Sequence, residues 1–326
     1  MKKRINILVV CLIAFLGLLA GCSQEQEASG SASTAEKKDL KFVIVPKVVH
    51  PWFDEVNKGA QEQAKLLEEQ LGVKVTVEYI APTAADVTEQ NSILEKAAAT
   101  RPDGIAVDPL DPVGNQQVID EIRDRGIEVV VFDSTAPEGS GITEIGNDFY
   151  EQGVVAAERL AEILDFKGEV AIMQGFPTAP NHQARYQAQV DTLKQYPDIK
   201  VIDGGISNDD IQTAQQQAAA ILASNPNLSG YLMSDASGPI GIPAAIKEAG
   251  KEGKVLAVGM DSLKPIAEEV KGGTLDSSSA SVPKMQGSMS ILMLWQASLG
   301  VDIPQTIDTG IEMVTKENAD KFITEE

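Results

Sequence analysis

What most constrains this chain is an alternation along nearly its whole length: short β-branched apolar runs separated by longer amphipathic stretches. The runs at 41–46, 73–80, 104–108, 128–132 and 143–146 have the length and composition of buried strands. The stretches 52–71, 86–99 and 112–125, between the first four, predict helices. Pro102-Asp103-Gly104 and Arg125-Gly126 supply a breaker and a C-cap glycine to end two of them. A second series follows, with strands expected at 169–173, 200–206, 230–233, 255–259 and 274–279. Helices are expected between them at 180–196, 209–223, 240–249 and 263–271. Strands joined by helices must run parallel, so the pattern predicts an α/β fold of two doubly wound parallel-sheet lobes. Ligands of such sheets sit beyond the carboxyl ends of the strands. Two lobes facing each other make a cleft.

The N-terminus fixes the compartment. Lys2, Lys3 and Arg4 precede an apolar run from Ile7 to Leu19, which ends in Leu19-Ala20-Gly21-Cys22. This is the pattern of a signal peptide over 1–21, too short for a comfortable membrane span. The small residues before Cys22 resemble the lipobox of bacterial lipoproteins, so Cys22 is expected to be lipidated. From 22 to 39 the sequence is polar and small, a flexible tether rather than a folded segment. The expected location is outside the cytoplasm, attached to the membrane by lipid alone.

Of the two cysteines, Cys11 lies in the leader and Cys22 is the lipid site, so the folded part has no thiol for disulfides or metal. Its core must hold by burial, which a 43% hydrophobic content allows. Removal of the leader takes the formal charge from -21 to -24, which makes nucleic acid a poor partner. With two histidines, no Gly-x-Ser-x-Gly elbow, no phosphate loop and no His/Cys cluster, neither an enzyme nor a metal site is expected. The paired carboxylates keep a glycoside hydrolase open as a minor alternative.

Candidate site residues stand where apolar strands end. After the first strand comes Lys47-Val-Val-His50-Pro51-Trp52-Phe53; the two aromatics are either helix-face core residues or a platform for the C–H face of a sugar. Asp133-Ser134 ends the run 129–132, Ser234-Asp235 the run 230–233, and Asp261 the run 255–260. A carboxylate accepting two hydrogen bonds suits vicinal hydroxyls, although Asp261 could equally cap the next helix. Arg185 follows Met173-Gln174-Gly175; it is either a surface ion-pair residue or a cleft guanidinium offering bidentate bonds.

In the order of these motifs, from about residue 40 onward, the chain resembles the periplasmic sugar-binding proteins of the ribose-binding type, and also their autoinducer-binding branch. The segment from Lys47 to Gln61 resembles the family's first loop and helix, where residues matching His50, Trp52 and Phe53 contact ligand. Asp133, Arg185 and Asp261 fall on binding positions. Ser134 stands where ribose binders carry arginine, Asp209 where many members carry an aromatic, and Asp235 and Ser281 where asparagine and glutamine often occur. Lys47, Asn181 and His182 look more like the autoinducer branch. The resemblance implies a type I periplasmic binding protein fold whose chain crosses between lobes near Asn147, Val282 and Asp308. The lobes would then be 40–146 plus 282–307 and 147–281 plus 308–326, with a helix over 283–299 returning to the first. It further implies a monomeric binder of a small sugar or polyol that closes about its hinge and delivers to an ABC permease without a cofactor. A receptor feeding a sensor kinase or chemoreceptor is the alternative.

Overall fold

Burial on both faces of a sheet calls for runs that are apolar throughout, and the strands of this chain carry them. A computed structural model describes residues 38–324. The expected leader, Cys22 and the expected tether up to residue 37 lie outside the described residues. The order begins β1 (Leu40–Val45), α1 (Pro51–Leu71), β2 (Val75–Tyr79), α2 (Val87–Ala99), β3 (Gly104–Val107), α3 (Pro112–Asp124), β4 (Glu128–Phe132) and β5 (Thr143–Gly146). It continues with α4 (Phe149–Ile163), β6 (Gly168–Gln174), α5 (Pro180–Leu193), β7 (Ile199–Ile206), α6 (Ile211–Ser224), β8 (Leu228–Met233), α7 (Gly238–Glu248), β9 (Leu256–Met260), α8 (Lys264–Gly272) and β10 (Ser277–Ala280). Last come α9 (Pro283–Ser298), β11 (Thr306–Asp308), β12 (Glu312–Val314) and α10 (Ala319–Thr324).

The strands form two sheets, ordered β11-β5-β4-β3-β1-β2 and β12-β10-β9-β8-β6-β7. The chain passes from one to the other after β5, after β10 and after β11. In β1 the period of two sends Phe42 and Ile44 into one core, with Val56, Ala60, Ile291 and Leu294 of α1 and α9. Val43 and Val45 enter the other, with Leu94, Ile119 and Ile122 of α2 and α3. Helices α1 and α9 meet through glycine: a Cβ on Gly59 would lie 1.9 Å from the Lys284 carbonyl oxygen, and one on Gly287 1.9 Å from that of Val56.

Four elements were not expected from the sequence. Helix α4 packs on α5 so closely that a Cβ at Gly153 would sit 2.4 Å from the Arg185 carbonyl oxygen. The glycine that permits this contact weakens the local helical signal. Strands β11 and β12 are three residues each, and α10 six, too short to announce themselves. Nor is the second sheet wholly parallel, because β12 runs antiparallel to β10.

Candidate functional site

Parallel strands all end at one edge, and the loops leaving those edges carry the candidate residues. Three aspartates that follow strands adopt left-handed backbone: Asp133 after β4 (φ 48), Asp209 after β7 (φ 60) and Asp261 after β9 (φ 69). Non-glycine residues take this conformation at a cost of about 1–3 kcal/mol, held by surrounding structure and concentrated at functional sites. All three carboxylates line one cavity with Lys47, His50, Trp52, Phe53, His182, Arg185 and Ala236. The space left is about 20 Å³, room for about one water.

Lys47, after β1, is 1% exposed. Its Nζ lies 3.2 Å from Asp108 Oδ2 and 3.4 Å from Asp133 Oδ2, and donates to Asn181 Oδ1 at 3.3 Å. Burial pulls the ammonium's pKa down, but attraction to Asp108 and Asp133 outweighs this and leaves it raised. Burial likewise pushes Asp108 well above the usual carboxylate range and raises Asp133, with Lys47 opposing in each case.

Asp133 ties the two halves of the molecule. Its Oδ2 accepts from Asn181 Nδ2 at 2.8 Å, and its Oδ1 lies 3.6 Å from Arg185 Nη2. Arg185 is held from behind: its Nε donates to Gln152 Oε1 at 2.8 Å, and its guanidinium lies 5.0 Å from the centre of the Phe149 ring. The surface ion-pair alternative is therefore excluded, since Arg185 is 2% exposed.

Trp52 makes the other bridge. Its Nε1 donates to Asp261 Oδ1 at 3.1 Å and to Ser281 Oγ at 3.2 Å. Phe53 meets Trp52 edge-on with ring centres 5.1 Å apart, and Phe132 at 6.4 Å. Each ring is at once core and cavity wall, so neither alternative for the pair excludes the other. Asp261 is not a helix cap; α8 begins after Leu263 without a side-chain cap.

The histidines are neutral, since burial draws both below their ordinary pKa. His50 is the N-cap of α1, its Nδ1 accepting from Trp52 N at 3.1 Å; the buried Nε2, which then carries the proton, has no partner. His182 Nδ1 accepts from Phe176 N at 2.7 Å, leaving its Nε2 3.9 Å from Asp209.

Four expected site residues do not line the cavity. Ser134 points away from it, its hydroxyl donating to the Pro109 carbonyl at 3.0 Å. Asn181 links Lys47 to Asp133. Ser281 donates to Asp261, and Asp235 accepts from the Ser207 hydroxyl and from Gly238 N at 3.2 Å. These three brace lining groups. Conversely, Ala236 lines the cavity without having been expected to, as does Asp209, which the resemblance marked only as a departure from the family's aromatic, and Asp108 and Gln152 support it. The position of Asp209 at a strand end, shared with Asp133 and Asp261, was the available signal. Burial pushes Asp209 and Asp235 up to about 6, Lys47 opposing at Asp209 and Asp209 itself adding to the shift at Asp235. Among the described residues, no group of three or more His, Cys, Asp or Glu could hold a metal ion.

Two α/β lobes enclosing a polar, aromatic-walled cavity define a solute-binding protein of the two-lobed kind. Residues 42–301 match the family model described as periplasmic binding protein domain, and the chain belongs to that family. It is a binding protein, not an enzyme, and works outside the cytoplasm. The D-allose-binding periplasmic protein of Escherichia coli is 25% identical, with 87% of this chain and 90% of that protein covered. The ribose import binding protein RbsB of Bacillus subtilis is 24% identical over 97% of this chain and all of that protein. Among solved structures, GanP, a glucose-galactose binding protein from Geobacillus stearothermophilus, is 30% identical with a TM-score of 0.79, covering 86% of this chain and 99% of its own. A solute-binding protein from Burkholderia graminis in complex with D-arabinose is 28% identical with a TM-score of 0.81, covering 87% and 97%. These relatives accord with the ribose-binding type read from the sequence.

Proposed function

We propose that this chain is the solute-binding lipoprotein of an ABC importer and captures a small sugar or polyol between its lobes. The observation that carries this reading is the convergence, on one enclosed cavity, of aromatic faces from α1 with carboxylates and a guanidinium from both sheets. Trp52 and Phe53 offer apolar surface to the C–H face of a sugar ring. Asp133, Asp209 and Asp261 accept hydrogen bonds from its hydroxyls, and Lys47, Arg185 and His50 Nε2 donate. Asn181, Asp235 and Ser281 hold these groups in place. The relatives named for allose, ribose, glucose-galactose and arabinose support the ligand class.

The lining groups are nearly all buried, so a sugar enters when the lobes 40–146 plus 282–307 and 147–281 plus 308–326 swing apart. It is sealed in when they close. Trp52 to Asp261 and Asp133 to Asn181 are the contacts that closure makes. Cys22, acylated, and the segment after it would keep the binder near its permease, and a Cys22→Ala chain that remained in the membrane fraction would contradict the anchor.

Thermal-shift screening against pentoses, hexoses, inositols, polyols and autoinducer tests the binding reading. A ligand at a hundred times its Kd stabilises the fold by about 2.7 kcal/mol. At least one sugar or polyol should raise Tm by several degrees; none doing so at millimolar concentration overturns the reading.

A further inference from the structure

The carboxylates around the cavity outnumber its cations. Five carboxylates, those of Asp108, Asp133, Asp209, Asp235 and Asp261, are each at most 8% exposed and face two permanent cations, Lys47 and Arg185. Both histidines are neutral, so an excess of three negative charges remains if every carboxylate is ionised.

Most of these acids are already engaged. Asp108 and Asp133 share Lys47, and Asp133 also faces Arg185. Asp261 accepts from Trp52 and Ser281, and Asp235 from Ser207 and Gly238. Among the described residues Asp209 alone of the five has neither a hydrogen bond to its carboxylate nor a lysine or arginine in ion-pair contact; Lys47 and Arg185 attract it only from farther away. His182 Nε2, at 3.9 Å, is beyond hydrogen-bond reach. Yet Asp209 is more than nine-tenths buried, lines the cavity, and is held there on a left-handed backbone. Its backbone N–H donates to Ser207 Oγ, whose own proton goes to Asp235, so a second carboxylate stands just behind.

A buried carboxylate with so little compensation is disfavoured, and a ligand that brings positive charge to it would supply what the protein does not. A hydroxyl would supply one donor and leave the charge. An ammonium supplies three donors and cancels it. Resting on the sugar-binding reading above, we propose that the preferred ligand is an amino sugar or amino polyol whose protonated amine sits on Asp209, with Asp235 adding attraction through the layer behind. The hydroxyls are then left to Asp133, Asp261 and Arg185.

Isothermal titration of the purified full chain at pH 7 and 150 mM salt tests this with matched sets. Each set holds a 2-amino-2-deoxyhexose or a 1-amino-1-deoxypolyol, its neutral parent, and its N-acetyl derivative, across gluco, galacto and manno configurations. In at least one set the amine should bind tenfold or more tighter than both neutral members, and Asp209→Asn should bring that ratio close to one. Neutral members that bind as well as the amine in every set overturn the ammonium assignment and leave the sugar reading intact. An amine preference that survives in Asp209→Asn overturns the role of Asp209. If no member of any set binds, the amino-sugar inference falls, while the sugar reading stands or falls with the thermal-shift screen.

Discussion

Lys47→Met removes a positive charge from the centre of the molecule while nearly conserving volume. Lys47 is 1% exposed and Asp108 is fully buried, 3.2 Å away, with no hydrogen bond to either carboxylate oxygen. The ion pair with Lys47 is therefore the compensation for burying Asp108. Removing one partner of a buried pair costs about 3–5 kcal/mol. For chains somewhat shorter than this one, each kcal/mol shifts Tm by about 2–4 °C, so a drop of about 10 °C at pH 7.5 is expected. Burial already pushes the Asp108 carboxyl well up, and losing Lys47 removes the main opposing attraction. A carboxyl whose pKa is raised on folding destabilises the fold fully above its folded value and not at all below its unfolded value. The deficit of Lys47→Met should therefore shrink between pH 7.5 and pH 5. Asp108→Asn placed in the Lys47→Met background should restore more than half of the lost Tm, as measured by differential scanning calorimetry. A single variant that loses less than about 2 °C, or a double variant no more stable than the single, would refute the account of the pair.

Gly287→Ala should destabilise by about 1–3 kcal/mol or more in urea unfolding, because the added methyl meets the Val56 carbonyl oxygen at 1.9 Å and forces α1 from α9. Burial raises Asp209 and Asp235 from 3.8 to about 6, so their contribution favours the folded, closed protein at low pH and is lost as pH rises through about 6. Without ligand, Tm should fall more steeply from pH 5 to pH 7.5 in the wild type than in Asp209→Asn/Asp235→Asn, and parallel profiles would contradict this. Trp52→Phe keeps the ring but deletes the Nε1 donations to Asp261 and Ser281. At about 1.5–3 kcal/mol for a hydrogen bond to a charged group, the open form should gain population. Small-angle scattering should then show a larger radius of gyration for the ligand-free variant; an unchanged radius would mean that this bond does not hold the lobes.

Strand after strand was legible in the sequence because burial on both faces leaves an unmistakable apolar run, as in 128–132 and 255–259, and because breakers and C-cap glycines mark the helix ends. The same logic located most cavity-lining groups, since polar residues directly after such runs have to emerge at the carboxyl edge of a sheet. Helix α4 was hidden by the glycine that its contact with α5 requires, and the antiparallel course of β12 is set by its pairing with Ser278–Ala280 rather than by its own three residues. At the site, residue types in sequence suggested chemistry but not partnership. His50 looked like a ligand contact and spends one nitrogen capping α1, Ser134 turns to Pro109, and Asp209 comes no closer than 3.9 Å to His182 Nε2, beyond hydrogen-bond reach. These outcomes depend on contacts such as Lys47 with Asp133, 86 residues apart, and Trp52 with Ser281, 229 apart. Local sequence dictates which groups reach the cleft; which of them neutralise one another, and which remain for a ligand, is decided when distant strand ends are brought within hydrogen-bond reach.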